Sequence, residues 1–251
     1  MSSRLLRTGL LIAAAVFAFG MMAWGQCSDA NVTGKYGYLV NGLDGSGNPI
    51  AVVGYLKANG KGTATGIQSG SDDGGIEQNV PTSGTYTINS DCTGSGTIKL
   101  KGAKKANTFG LVVVSGGKAL QILDTDTGTV QGGTAEAQGK ETCTAAGLNG
   151  SIGIQAAGEF IGTGAVALDG LFTFDGKGNV SGIVSGSLAG SIFTGQSVSG
   201  SYTVASNCTG TTSFSLLGQT LTTDFVMTDG AQHLFVVETN SGTVVSGRGQ
   251  Q

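Results

Sequence analysis

Few side chains in this sequence could do chemistry, and most of them stand apart from one another. His233 is the only histidine, so no histidine pair exists to ligate a metal. The four cysteines, Cys27, Cys92, Cys143 and Cys208, lack the CxxC spacing of a zinc site. Hydrolysis by paired carboxylates needs two acids held across a scissile bond. The candidates are Asp72, Asp73 and Glu77 in one stretch and Asp124 with Asp126 in another. Asp175-Gly-Lys-Gly-Asn179 has some look of a calcium loop, but a calcium ion wants six to eight oxygens, several of them from carboxylates. No strand–GxGxxG–helix context surrounds any of the glycines, so no dinucleotide fingerprint is present. From these residues we expect no catalytic centre, no metal site and no cofactor, and we expect the protein not to be an enzyme.

The first residues read as an export signal. Arg4 and Arg7 precede an uncharged, mostly apolar run from Leu10 to Met22. Ala23-Trp24-Gly25 then sets small residues at −3 and −1 from Gln26, predicting a signal peptide over residues 1–25. The apolar run is shorter than the roughly 20 residues that span a bilayer, so the exported chain is not expected to be membrane-spanning. Cleavage removes Arg4, Arg7 and no acid, leaving 11 basic against 16 acidic side chains, a net charge of −5. A mildly acidic chain whose main basic cluster is Lys99, Lys101, Lys104 and Lys105 speaks against nucleic acid as a partner.

Shifted by 116 residues, the sequence aligns with itself without a gap over residues 27–100, and 26 of those 74 positions are identical. Ser83-Gly-Thr-Tyr-Thr87 falls on Ser199-Gly-Ser-Tyr-Thr203, and Cys92-Thr-Gly94 on Cys208-Thr-Gly210. After a two-residue deletion, Thr125–Val130 matches Thr239–Val244. The period is too long for a solenoid unit, and each copy is long enough to be a domain. We expect domains over residues 26–138 and 139–251, joined near Gln138 to Thr142. Cys27 and Cys92 are 65 residues apart, as are Cys143 and Cys208. Of three possible connectivities, independently folding copies favour Cys27–Cys92 and Cys143–Cys208. Closing loops of that length stabilises each copy by about 4 kcal/mol in the chain-entropy model.

The elements that must position any site are strands. Forty-six glycines beside two prolines, with abundant Thr, Ser and Val, make a poor recipe for helices and a good one for short strands joined by tight turns. Turn signals divide the first copy into about eight strands, near 35–40, 50–57, 63–69, 84–89, 96–101, 108–114, 119–124 and 129–134. Asn59-Gly-Lys-Gly62 and Asp175-Gly-Lys-Gly178 read as hairpin turns, as do Ser115-Gly-Gly117 and Asp229-Gly-Ala231. The fold class is all-β, with two tandem antiparallel meanders. Closure into an up-and-down barrel is favoured over a two-sheet sandwich, because it removes exposed edges.

Comparing the copies sorts the candidates. Leu120 and Ile122 correspond to Leu234 and Val236, which marks the core face. Between them, Ala119 and Gln121 correspond to His233 and Phe235, so His233 is expected outside, in a structural or surface role. Tyr86 and Tyr202 are equivalent and are expected to plug the core. Asp72, Asp73 and Glu77 correspond to Leu188, Ala189 and Phe193, which reads as a solvated loop in the first copy and an apolar one in the second. The second copy also gains Phe172, Phe174, Phe214 and Phe225, making it the better candidate to hold an apolar ligand unless those rings fill it. Phe193 is then the candidate at the pocket's mouth.

The string Phe172-Thr-Phe-Asp-Gly-Lys-Gly-Asn-Val-Ser-Gly182, followed by Gly200-Ser-Tyr-Thr-Val204 and Asn207-Cys-Thr-Gly210, resembles secreted, duplicated glycine-rich β-repeat proteins of environmental Gram-negative bacteria. The resemblance covers nearly all of residues 27–251. It implies an envelope or extracellular location and supplies no catalytic residues. The sequence thus points to a non-enzymatic extracytoplasmic β-barrel module, periplasmic, cell-surface or extracellular. Its expected partner is a small apolar molecule or an envelope component. The alternative is a structural or adhesive surface protein.

Overall fold

The computed structural model describes residues 26–139 and 143–251. The expected signal peptide, and residues 140–142 of the expected connection, lie outside the described residues. The first copy forms β1 (Thr33–Leu43), β2 (Pro49–Asn59), β3 (Thr63–Asp72), β4 (Gly75–Ile88), β5 (Thr93–Leu100), β6 (Asn107–Val114), β7 (Ala119–Asp124) and β8 (Val130–Ala137). The second forms β9 (Asn149–Phe160), β10 (Gly164–Asp175), β11 (Asn179–Leu188), β12 (Ser191–Val204), β13 (Thr209–Leu216), β14 (Gln219–Thr228), β15 (His233–Glu238) and β16 (Thr243–Gln250). Every strand pairs antiparallel with its sequence neighbour. Each copy then closes on itself, β1 on β8 and β9 on β16, into an eight-stranded barrel. Barrel, not sandwich, is the architecture.

Turn chemistry sets the hairpins. Asn59 Oδ1 accepts the Lys61 and Thr63 amides, and Asp175 Oδ1 accepts those of Lys177 and Asn179. These Asx turns need the positive φ of Gly60 and Gly176, both +71°. Those bonds, led by the Asn179 side chain, bring the Asp175 carboxyl down to about 2, so the loop with a calcium look is a hairpin cap. One strand is longer than its sequence implies. β4 starts at Gly75 rather than near Gly84, because the register slips between Gln68 and Gly70. That bulge accommodates Asn79 at φ +53°, its amide on Ser69 Oγ at 2.9 Å. The second barrel repeats it with Gly195 and Ser185.

One end of each barrel is stoppered by the chain that enters it. The 3-10 turn Asp29–Asn31 precedes β1, and the Cys27–Cys92 disulfide ties that segment to the β4–β5 turn. Tyr86 donates to the Val32 carbonyl at 2.6 Å, and Asp29 Oδ1 accepts the Ile88 amide at 2.7 Å. In the second barrel Cys143–Cys208 and the Tyr202 hydroxyl, on the Leu148 carbonyl at 2.8 Å, do the same work. Tyr86 and Tyr202 are both buried, as their matched positions imply. Disulfides of this kind fit an oxidising, extracytoplasmic compartment. No helix among the described residues is long and apolar enough to cross a membrane.

The barrels also pack side by side through their outer faces. Leu39, Ala51 and Val53 of β1 and β2 meet Val226, Phe235, Val237 and Val244 of β14, β15 and β16 in a third apolar cluster. β1 is buried on both faces from Tyr36 to Val40, so its hydrophobic alternation is lost there. Gly37 lets the strands approach, since a Cβ there would lie 2.6 Å from Thr228 Cγ2. His233 is outside the barrel as expected, with Nδ1 2.9 Å from Glu136 Oε2 across the seam. Phe235, 1 % exposed, is the largest fully buried side chain in the seam. Phe235→Ala should cost about 3 kcal/mol or more, with the halves unfolding in two steps rather than one in chemical denaturation.

Candidate functional site

The interiors of the two barrels differ, and the difference is in side-chain size. Alternation along each strand sends every second residue inward, and an eight-stranded barrel has room for packed side chains or one small ligand. In the second barrel Phe172, Phe174, Phe214 and Phe225 all point into that space. Phe172 meets Phe214 edge-on at 5.6 Å, and Phe174 meets Tyr202 at 5.1 Å. A void of only about 70 Å³ is left. The matching positions of the first barrel are Leu56, Ala58, Ile98 and Leu111. All four line a cavity of about 570 Å³. Of the two readings of those rings, the filled core is the one seen: they occupy the volume a ligand would need, and the pocket lies in the first copy instead of the second.

The first cavity is mainly apolar, with a few polar groups placed along it. Tyr38 donates its hydroxyl to Gln68 Oε1 at 3.0 Å. Burial pushes that phenol far above its ordinary range, so it stays a donor. Its ring lies against Gly54, where a Cβ would be 2.3 Å from Tyr38 Cζ. Gln131 of β8 lines the cavity at 7 % exposure. Its amide makes no hydrogen bond among the described residues. Nearby on β7, Asp124 holds the Asp126 amide and the Thr129 hydroxyl on Oδ1, while its buried Oδ2 has no partner among the described residues.

The Tyr86 end is closed by the stopper, and the opposite end is open. Asp72 and Glu77, exposed, stand on the rim of the cavity with Ala103 and Asn107. The segment that reads as a solvated loop is thus the end of β3 and the start of β4, at the mouth. Burial raises the Asp72 carboxyl above its usual range, and Asp44, Asp73 and Glu77 raise it further by repulsion. The four acids therefore share one neighbourhood. The β3–β4 turn is held from outside by the second barrel. Gly242 donates its amide to the Gly74 carbonyl at 2.9 Å, and Ser71 Oγ donates to the Thr243 carbonyl.

Phe193 sits at the equivalent end of the second barrel. Its ring is half-buried on the core there, against Gly186, and does not line the first barrel's cavity. His233, Asp175 and the four cysteines have structural partners, as described above. Asp126 caps β6 through the Thr108 amide and hydroxyl, and Asn240 does the same for Thr222. Among the described residues no group of three His, Cys, Asp or Glu side chains could hold a metal ion. Compared with protein-family models and with curated proteins, the chain matches none.

Sequence reasoning passed over Tyr38, Gln68, Gln131 and Glu238. The signal for the first three was available. Each is a polar or amphipathic residue at an inward position whose counterpart in the second copy is purely apolar: Ile154, Val184 and Val245. Glu238 is the counterpart of Asp124. It is buried in the second barrel, with Oε1 unpartnered among the described residues, and burial raises its carboxyl to about 7. A carboxyl of that kind can exchange protons near neutrality, but the void beside it is too small for more than a few waters. Its effect falls on stability. The unfolded chain releases this proton near 4.5 and the folded chain near 7. Stability should therefore fall as pH rises through that window and level off above it, by on the order of 3 kcal/mol. Glu238→Gln should remove this slope in urea melts at pH values across the window.

Proposed function

We propose that this chain is an exported, non-catalytic binding module whose first barrel is the container and whose second is a solid support. The observation that carries this reading is the first barrel's cavity of about 570 Å³. It is stoppered at one end, open at the other and lined mainly by apolar side chains. Small-molecule sites are concave, mostly apolar and of this size, with a few polar groups that orient the ligand. The two disulfides support action outside the cytoplasm, in the periplasm, at the cell surface or beyond it. The filled second barrel supports the division of labour, since it braces one side of the mouth through Gly242 and Thr243. The ligand class is a compact apolar molecule.

A structural or adhesive surface protein is the second reading. An exposed apolar strip on the outside of the first barrel, Leu43, Leu123 and Val130, favours it. A neutral apolar fluorophore such as N-phenyl-1-naphthylamine separates the two. Saturable binding of one equivalent is expected. Ala58→Phe with Leu111→Phe, which copies the second barrel's side chains, should weaken it by about tenfold or more without loss of folding, and Phe193→Asp should leave it unchanged. If the fluorophore does not bind, or the filled variant binds as well as the parent, the structural reading stands instead.

A further inference from the structure

Resting on the container reading, we infer that the first barrel selects an apolar molecule that carries a protonated amine, held with its charge at the mouth. The selectivity follows from where charge and unused hydrogen-bonding capacity lie. Asp72 and Glu77 border the opening, with Asp44 and Asp73 close enough to repel the Asp72 carboxylate. The ion pairs among the described residues are Lys105–Asp126 and His233–Glu136, so none of these four acids has a cation of the protein's own.

Four lysines stand on the β5–β6 side of the mouth, beside the rim residue Ala103, but none of them pairs with the four acids. Lys99 alternates with inward Ile98 and Leu100 and so faces out. Lys101 and Lys104 are exposed on the β5–β6 connection, and Lys105 is 3.4 Å from Asp126. None of the four lines the cavity.

Gln131 supplies the independent observation. It is an inward amide, more than nine-tenths buried, that lines the cavity and has no hydrogen-bond partner among the described residues. Buried polar groups are ordinarily paired. The Gln131 amide is left open toward the chamber, free to pair with water or with a polar group that arrives on a ligand. Its carbonyl accepts a hydrogen bond, as do the carboxylates at the rim, and an ammonium group donates three. A carboxylate ligand would meet repulsion at the rim, and a pure hydrocarbon would leave the Gln131 amide without a partner. The second barrel shows the converse. Where the first has Asp72, Glu77, Gln68 and Gln131, it has Leu188, Phe193, Val184 and Val245. The polar groups and the cavity occur together in one copy and are absent together from the other.

The test uses the full oxidised chain and three ligands with the same alkyl chain: decylammonium, decanol and decanoate. Each displaces the neutral fluorophore below its micelle concentration, at neutral pH and low salt. The expected order is ammonium, then alcohol, then carboxylate, with ammonium favoured over carboxylate by about tenfold or more and less so in high salt. Asp72→Asn with Glu77→Gln should collapse the preference for ammonium over carboxylate to about twofold or less, with the neutral fluorophore still titrating one equivalent. Gln131→Leu, an apolar change of the kind the second copy already carries, should weaken decylammonium more than it weakens the neutral fluorophore. The inference falls if decanoate binds as tightly as decylammonium, or if the preference survives the double substitution. Decanol distinguishes the two levels. If it binds and the ammonium gains nothing, only the charge selectivity is lost; if decanol and the fluorophore both fail to bind, the container reading is lost as well.

Discussion

Closing eight antiparallel strands into a ring fixes the bore of the barrel before any side chain is chosen. The strands keep their ladder spacing, and every second residue must point into a space whose width the ring has already set. What remains free is how much of that space the inward residues occupy. Four exchanges, Leu56, Ala58, Ile98 and Leu111 for four phenylalanines, separate a cavity of about 570 Å³ from one of about 70 Å³. The ladders, bulges, stoppers and disulfides are otherwise shared, so one backbone encloses a cavity in one copy and a filled core in the other.

The outer faces answer to a different demand. A barrel standing alone needs one apolar face per strand. Here β1, β14, β15 and β16 are buried on both, because each also contributes to the seam between the barrels. That is why adjacent positions on one strand can agree inside the barrels and differ outside them. Leu120 and Leu234 do the same job, whereas Gln121 meets water and its counterpart Phe235 meets the first barrel. The brace on the β3–β4 turn belongs to the same seam, so the shape of the mouth depends on a neighbour that takes no part in lining it.

Much of this was legible in the residues. The repeat gave the two units, equal cysteine spacing gave the disulfide pairs, and Gly, Asn and Asp at fixed offsets marked the turns at 59–62, 115–117, 175–178 and 229–231. The face assignment from Leu120, Ile122, Leu234 and Val236 was correct because alternation is a local property. Cavity volume is not local. It sums over eight strands, and the apolar gain of Phe172, Phe174, Phe214 and Phe225 reads equally as a better pocket or as a fuller core until the ring is closed around them. The acids at 72, 73 and 77 looked like a solvated loop for a similar reason. Only the bulge at Asn79, set by a partner strand, extends β4 back to Gly75 and carries them to the rim.

The seam joins unlike faces, β1 and β2 of one barrel to β14–β16 of the next. A head-to-tail contact of this type does not close on itself, and repetition would build a row. The two free ends of the pair show how each is finished. On the second barrel, the positions matching Leu39 and Val53 are Gln155 and Asp169, polar groups set beside the exposed Leu171 and Ile183. On the first barrel, Val112, Leu123 and Val130 match Val226, Val237 and Val244 but remain exposed. The exposed strip is thus the face that β14–β16 of the second barrel bury in the seam, left without a cover among the described residues of the first.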